Sequence, residues 1–97
     1  MPRESAFVAV AKKYLRSRGA WPHKAHGGPY GAVTGTPDLL VCYRGRFVAV
    51  ECKAPGRSTT ALQEKTLTDI RRAGGLAEVA RSLDDIAAVL DKVDKDE

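Results

Sequence analysis

Three charged residues in the middle of the chain are of the types needed for phosphodiester chemistry. Asp38 is followed by twelve intervening residues and then Glu51, and Lys53 lies two positions further on. Carboxylate oxygens are the ligands that Mg²⁺ and Mn²⁺ prefer. A lysine ammonium beside such a cation can orient a water molecule or stabilise negative charge on a phosphate. These residues are therefore candidates for metal-assisted phosphodiester hydrolysis if the fold brings them together.

A predicted β-hairpin is the element that would do so. Two strand-like apolar runs, Leu39–Tyr43 and Phe47–Val50, flank a turn at Arg44-Gly45. A two-residue turn fixes the register of the hairpin, in which the pairs run from Tyr43 and Arg46 to Leu39 and Val50. The next pair away from the turn is Asp38 with Glu51. Opposed residues have Cβ atoms about 4.5 to 5.5 Å apart, and like charges there are destabilising. A divalent cation would turn this repulsive pair into a stable site.

Two further polar residues are candidates for the same site. Glu4, on the inward stripe of the first predicted helix, could supply a third carboxylate directly or through water, and Gln63 could hold a water or a phosphate oxygen. Each of these residues also has an ordinary structural interpretation. Asp38 could be a turn residue, and Glu51 and Lys53 could form an ordinary ion pair. Glu4 could be a carboxylate at a helix N-terminus, and Gln63 could be a surface amide. The combination on one hairpin favours function for Asp38, Glu51 and Lys53, whereas both interpretations stay open for Glu4 and Gln63.

The remaining elements follow from hydrophobic periodicity and turn signals. The pattern predicts a helix over residues 2–18, a strand over 20–26, the hairpin, a helix from a cap at Thr59 or Thr60 to about Ala73, a strand over 76–80 and a helix opened by Ser82. The inward stripe of the second helix is predicted to be Leu62, Thr66, Ile70 and Ala73. A right-handed crossover makes the last strand parallel to the second hairpin strand. The predicted fold is an α/β sandwich of order αβββαβα with a small mixed sheet.

Composition limits the class of protein. A chain of 97 residues, 43% of them apolar, is expected to form one domain over residues 1–93, with a disordered acidic tail over 94–97. Its small core would benefit from a partner subunit. No apolar run is long enough to span a bilayer, so a soluble intracellular protein is expected. The hairpin register places Cys42 and Cys52 on opposite faces, and both are predicted to be reduced and buried.

The positive charge is concentrated in the body of the chain. Residues 1–83 hold 14 Lys or Arg against 6 Asp or Glu, whereas residues 84–97 hold 2 against 6. A basic body favours a polyanionic partner such as nucleic acid, although a solvated surface would look the same. The candidate DNA contacts are Lys12, Lys13, Lys24, Arg44, Arg46, Arg57, Arg71 and Arg72. His23 and His26 could bind a metal or contact phosphate, but histidines in such a position are more often plain surface residues. Trp21 and Tyr30 are expected to lie in the core or an interface rather than to stack on bases.

A family resemblance adds to this interpretation. The segment Gly35-Thr36-Pro37-Asp38, then Glu51-Cys52-Lys53 and then Gln63 resembles the PD-(D/E)XK nuclease superfamily, and more narrowly the virus-type replication-repair nuclease (VRR-NUC) domain. The resemblance implies a restriction-endonuclease-like fold. It also implies Asp38 and Glu51 as metal ligands, the Cys52 carbonyl as a candidate further ligand and Lys53 as the catalytic lysine. Gln63 would be an auxiliary catalytic residue and Glu4 an auxiliary metal-site residue.

The same resemblance implies a biological activity. Small stand-alone members are similar to homodimeric, Mg²⁺- or Mn²⁺-dependent endonucleases that cut branched DNA such as four-way (Holliday) junctions. A role in DNA repair, in the cytoplasm of a bacterial or phage-infected cell, would follow. Because the chain has no room for an added DNA-binding domain, branch specificity must come from the dimer surface or be weak. The alternatives are a nuclease that nicks or trims simple DNA, a non-catalytic DNA-binding module and a purely structural interaction protein.

Overall fold

The computed structural model describes residues 4–25 and 35–96, with the exception of the Glu4 side chain. The elements in this part of the chain are α1 (Glu4–Ser17), β1 (Trp21–Lys24), β2 (Leu39–Tyr43), β3 (Arg46–Cys52), α2 (Ala61–Arg72), β4 (Leu76–Ala80) and α3 (Leu83–Lys95). Their order is αβββαβα, as predicted, and the predicted α/β class is confirmed. Among these helices, none has both the length and the apolar composition required to cross a bilayer.

The four strands form one mixed sheet in the order β1-β2-β3-β4. The first three are antiparallel, and β4 runs parallel to β3, as the crossover predicted. The hairpin register is also confirmed, from Tyr43 opposite Arg46 to Leu39 opposite Val50. Arg44 and Gly45 both have positive φ, of 51° and 79°, which is the turn conformation that matches the right-handed twist of the flanking strands.

The main core lies between one face of the sheet and the two helices α1 and α3. It consists of apolar side chains that alternate along the strands and recur at helical spacing, so each element contributes one face. Its fully buried large side chains include Leu15, Leu39, Val41, Val48, Val50, Ile86, Leu90 and Val93. The α1 and α3 helices are therefore held on the same side of the sheet.

The other face of the sheet is covered by α2 over β3 and β4. Leu67 packs here against Ala49 and Ala77, with Ile70 at the edge of the cluster. The predicted inward stripe was wrong at Leu62, which is 43% exposed, and at Ala73, which is also exposed, whereas Ile70 packs on the sheet as predicted. The small alanines of the sheet accept the helix face that runs through Leu67, and the periodicity of the helix alone could not distinguish that face from its neighbour.

The half of this face over β1 and β2 is not covered by any helix that the structure describes, and it is called the open face below. Trp21 pairs with Cys42 and Cys42 with Phe47, so the three lie in a row on one face. Cys42 is exposed, which corrects the prediction that both cysteines are buried, whereas Cys52 is buried and both are free thiols. Trp21 is 66% exposed and so is not a core residue. The open face exists because α2 packs over β3 and β4, on alanines rather than over the hairpin centre.

The C-terminal helix extends beyond its predicted end. The prediction of a disordered tail over 94–97 was wrong for residues 94 and 95, because α3 continues through Lys95. Asp94 accepts a hydrogen bond of 2.9 Å from the hydroxyl of Tyr43, and it forms ion pairs with Arg18 and Arg44 at 3.3 and 3.2 Å. These contacts to residues distant in sequence hold the last turn of the helix against the sheet.

Candidate active site

The two central carboxylates are neighbours at the end of the hairpin. Asp38 directly precedes β2 and Glu51 is the penultimate residue of β3, one position beyond the Leu39–Val50 pair. Asp38 Oδ2 accepts a hydrogen bond of 2.9 Å from the main-chain N–H of Cys52. This bond ties Asp38 to β3 and holds its carboxylate next to Glu51.

Glu51 lies in an environment that disfavours its negative charge. It is only 3% exposed. The pKa of Glu51 is raised from 4.5 to about 7, because burial and then the neighbouring Asp38 carboxylate disfavour the charged form more than the ammonium of Lys53 favours it. The site therefore holds more negative character than its own lysine neutralises, and an added cation would be favourable there.

Lys53 completes the charged group. Its Nζ lies 3.6 Å from Glu51 Oε2, and the residue is only 8% exposed. Its main-chain N–H donates to the carbonyl of Ala80 at 3.0 Å, which fixes the backbone of Lys53 to the end of β4. The ammonium is thus a positioned and largely buried cation, and its electrostatic effect on a nearby anion is stronger there than in water.

Gln63 joins α2 to this group. Its Nε2 donates to Glu51 Oε2 at 3.2 Å, and its Oε1 accepts from the main-chain N–H of Thr60 at 2.9 Å. Thr60 Oγ1 in turn accepts from the N–H of Gln63, so the two residues form a reciprocal N-terminal cap. Gln63 points at the sheet because it lies four residues before Leu67, on the same helix face. Both ends of its amide are engaged, so its contacts are those of a residue that positions Glu51.

The donor set fits a hard divalent cation. Asp38 and Glu51 supply carboxylate oxygens, which suit Mg²⁺ or Mn²⁺ with water completing the coordination. Among the residues whose side chains are described, no cluster of three or more His, Cys, Asp or Glu could hold a metal. The Glu4 side chain lies outside this set. The Cys52 thiol is buried in the core, so Cys52 could contribute only main-chain atoms.

The predicted DNA-binding residues divide between the two ends of the molecule. Lys24 and Arg57 lie at the end that carries the carboxylates, since Lys24 pairs with Leu39 and Arg57 follows β3. The hairpin turn is roughly 17 Å away, at about 3.3 Å for each residue of β3. At that turn, Arg44 pairs with Asp94 in α3 and Arg46 with Asp96, the C-cap of that helix. Arg71 pairs with Glu78. Arg72 is in the last turn of α2, and Lys12 and Lys13 are on α1.

Sequence reasoning missed one cation at the active-site end. Arg81 follows directly after β4, whose residue Ala80 is the register partner of Cys52. The predicted parallel crossover placed β4 beside β3, but its register depends on how α2 packs, so the position of Arg81 beside Lys53 was not readable from the sequence.

The predicted surface histidine on β1 lies on the open face. His23 is exposed and stacks on Trp21, with ring centroids 6.0 Å apart and an interplanar angle of 6°. The alternating pattern of the strands places both rings on the face that carries Asp38 and Glu51. His26 and Tyr30 lie outside the described residues.

Comparison with known proteins identifies the fold. A solved chain described as "VRR_NUC domain" aligns with 93% of this chain and 97% of its own length, with a TM-score of 0.72 and 23% sequence identity. The chain matches no family model and no curated protein. The predicted resemblance to the VRR-NUC domain is therefore confirmed at the level of the fold.

Proposed function

We propose that the protein is a divalent-metal-dependent DNA endonuclease that acts on branched DNA as a homodimer. The observation that carries the proposal is the group of Asp38, Glu51 and Lys53, held within contact distance on a VRR-NUC fold. A buried carboxylate, Glu51, beside the half-buried carboxylate of Asp38 is costly for stability alone. A metal-dependent nuclease needs such a pair, because a cation held by the two carboxylates would also bind the phosphate of the substrate.

Each residue has a separate role in this proposal. Asp38 and Glu51 hold Mg²⁺ or Mn²⁺, with the Cys52 carbonyl and Glu4 as candidate further ligands. A cation bound there would act as a Lewis acid on the phosphate and would lower the pKa of the attacking water molecule. Lys53 stabilises charge that develops on the scissile phosphate, and Gln63 keeps the Glu51 carboxylate oriented.

Replacement of the lysine tests the catalytic assignment. Lys53→Ala should bind DNA with near wild-type affinity but cleave it at least about 100-fold more slowly, since one positioned electrostatic contact to the transition state is lost. Cleavage of labelled DNA in Mg²⁺ and in Mn²⁺, with binding measured in EDTA, separates the two effects. Unchanged turnover would remove Lys53 from the mechanism.

Lys65 provides the matched control for this substitution. Its ammonium is exposed and pairs with Asp69 on the outer face of α2. Lys65→Ala removes the same charge from the chain without touching the site, so its cleavage rate should equal that of the wild type. A similar loss in both variants would indicate an effect of net charge.

A panel of DNA structures tests the substrate preference. A four-way junction, a flap, a nicked duplex and a linear duplex of the same sequences should be cleaved in that order of preference. Equal rates on all four would favour a nuclease for simple DNA, and binding without cleavage in any divalent cation would favour a non-catalytic binding module.

Light scattering tests the proposed dimer. Two active sites related by a twofold axis match a junction in which two strands are cut. The mass in solution should therefore be twice that of the 10.5 kDa chain. A monomer that still resolves junctions would contradict this part of the proposal.

A further inference from the structure

Two arginines meet at the active-site end, where β3 and β4 finish. Arg57 closes a four-residue turn after β3, with its N–H bonded to the carbonyl of Ala54 at 3.1 Å and Gly56 at φ +81°. Pro55 and this positive φ are typical of a type II turn, so the turn is well defined by its sequence. Arg81 donates from Nη2 to the carbonyl of Arg57 at 2.8 Å. The two arginine residues are thus joined across the ends of two strands.

Their position relative to the site is set by the parallel ladder. Cys52 pairs with Ala80, and the N–H of Lys53 donates to the Ala80 carbonyl at 3.0 Å. Arg81 is therefore one residue beyond the strand position that contacts Lys53. Its main-chain N–H is held by Asp85 Oδ2 at 2.8 Å, at the start of α3. Arg81 leaves the sheet from a fixed backbone beside the proposed catalytic lysine.

The charges of these two arginines are not neutralised within the described part of the chain. Four arginines elsewhere in the chain, Arg18, Arg44, Arg46 and Arg71, form ion pairs with carboxylates. Neither Arg57 nor Arg81 has an ion pair among the residues that the structure describes. The guanidinium of Arg81 instead donates to the main-chain carbonyl of Arg57. Two cationic residues that are joined in this way and have no ion pair among the described residues favour an anion at this position.

We propose that Arg57 and Arg81 form a binding site for a DNA backbone phosphate that adjoins the scissile one. This inference rests on the proposed nuclease function and names the part of the protein that holds the substrate strand beside the metal site. Guanidinium groups suit this role because their forked donors bind phosphate oxygens in pairs. Arg57 and Arg81 are positioning residues, since they hold the strand while Lys53 and the carboxylates contact the reacting group.

Salt dependence of DNA binding measures the number of phosphate contacts directly. The probe is a labelled four-way junction made from synthetic oligonucleotides, titrated in EDTA over a series of KCl concentrations. Each lost phosphate contact should reduce the slope of log K against log salt by about one. We expect this reduction for Arg81→Gln and twice this reduction for the double variant with Arg57→Gln. An unchanged slope in a folded Arg81→Gln protein would overturn the phosphate site.

Three substitutions at Arg81 separate a structural role from phosphate binding. Glutamine and alanine remove the charge, whereas lysine keeps it. If Arg81 only braces the turn, all three folded variants should lose stability but keep the wild-type salt slope. If Arg81 binds phosphate, Arg81→Gln and Arg81→Ala should both lose affinity, and Arg81→Lys should recover the salt slope. The matched control is Arg16→Gln, an exposed arginine in the last turn of α1 that is not among the candidate DNA contacts, and it should leave the slope unchanged.

The same variants distinguish failure of this site from failure of the nuclease function. In cleavage assays, Arg81→Gln should raise KM more than it lowers kcat. A wild-type protein that cleaves DNA while every variant keeps the wild-type salt slope would refute the phosphate site and leave the nuclease intact. A wild-type protein that never cleaves, but whose salt slope falls in Arg81→Gln, would refute the nuclease and support the phosphate contact.

Discussion

Glu51 is the residue whose environment most clearly departs from that of an ordinary surface carboxylate. It is buried, it faces Asp38, and Lys53 and Gln63 both approach the same oxygen, Oε2. A buried carboxylate with another carboxylate beside it favours its protonated form. When no cation is bound, ionisation of Glu51 therefore lowers the free energy of unfolding.

Stability of the metal-free protein should depend on pH through this residue. The pKa of Glu51 is raised from 4.5 to about 7 in the folded chain. Between these values the native state binds more protons than the unfolded state, so the free energy of unfolding should fall as pH rises from 4.5 to 7. The predicted loss is about 3 kcal/mol, at roughly 1.4 kcal/mol for each pH unit between the two values. Urea unfolding in EDTA at several pH values measures it.

Two substitutions serve as controls for this pH dependence. Glu51→Gln cannot ionise, so the decrease between pH 4.5 and 7 should be absent. Asp38→Asn removes the neighbouring negative charge but keeps an oxygen that can accept from the Cys52 N–H, so it should lower the pKa of Glu51 and reduce the decrease. The same decrease in all three proteins would mean that another group titrates. Addition of Mg²⁺ should stabilise the wild type more at pH 8 than at pH 5.

At the scale of elements, α2 connects the core to the site. Leu67 is buried on the sheet, and four residues earlier on the same face Gln63 contacts Glu51. The helix start is fixed by the reciprocal cap between Thr60 and Gln63. The side-chain amide of Gln63 therefore both caps the N-terminus of α2 and orients Glu51, a proposed metal ligand.

Gln63→Ala should affect both properties. Loss of one side of the cap and of the bond to Glu51 should lower the free energy of unfolding by about 1 kcal/mol. Cleavage should fall about tenfold through kcat, because Glu51 loses a bond that fixes its orientation. Denaturant unfolding and steady-state kinetics check the two effects. A variant that is destabilised but cleaves at the wild-type rate would limit Gln63 to capping.

The elements themselves were largely readable from the sequence, and the reasons are local. The turn at Arg44 and Gly45 determined the hairpin register, and that register was sufficient to bring Asp38 next to Glu51. The face that α2 presents to the sheet was not readable, because it depends on Ala49 and Ala77, which lie in two different strands. Contacts that a turn determines could be predicted, whereas those that depend on helix packing could not.

At the scale of the whole molecule, the two ends of the sheet differ in how their charges are balanced. At the hairpin turn, Asp94 in the last turn of α3 binds Tyr43, Arg18 and Arg44. At the other end, Arg57 and Arg81 have no such partners among the described residues. The acidic C-terminal segment, whose last four residues were predicted to be a disordered tail, neutralises arginines at the hairpin-turn end of the basic body.

Asp94→Ala tests the structural part of this arrangement. The buried Tyr43 would lose the carboxylate that its hydroxyl now contacts, which should lower the free energy of unfolding by about 1 to 3 kcal/mol. Asp91→Ala removes only an exposed ion pair to Arg18 and should cost less than about 1 kcal/mol. Equal losses in the two variants, measured by urea unfolding, would show that the contact to Tyr43 adds nothing.

Trp21 makes the open sheet face visible to fluorescence without any label. It is the single tryptophan of the chain, and it is largely exposed in the folded state. Native emission should therefore already resemble that of indole in water, and unfolding is better followed by circular dichroism. A blue shift that grows with protein concentration would place a second copy on this face, and one that appears only with DNA would place the nucleic acid there.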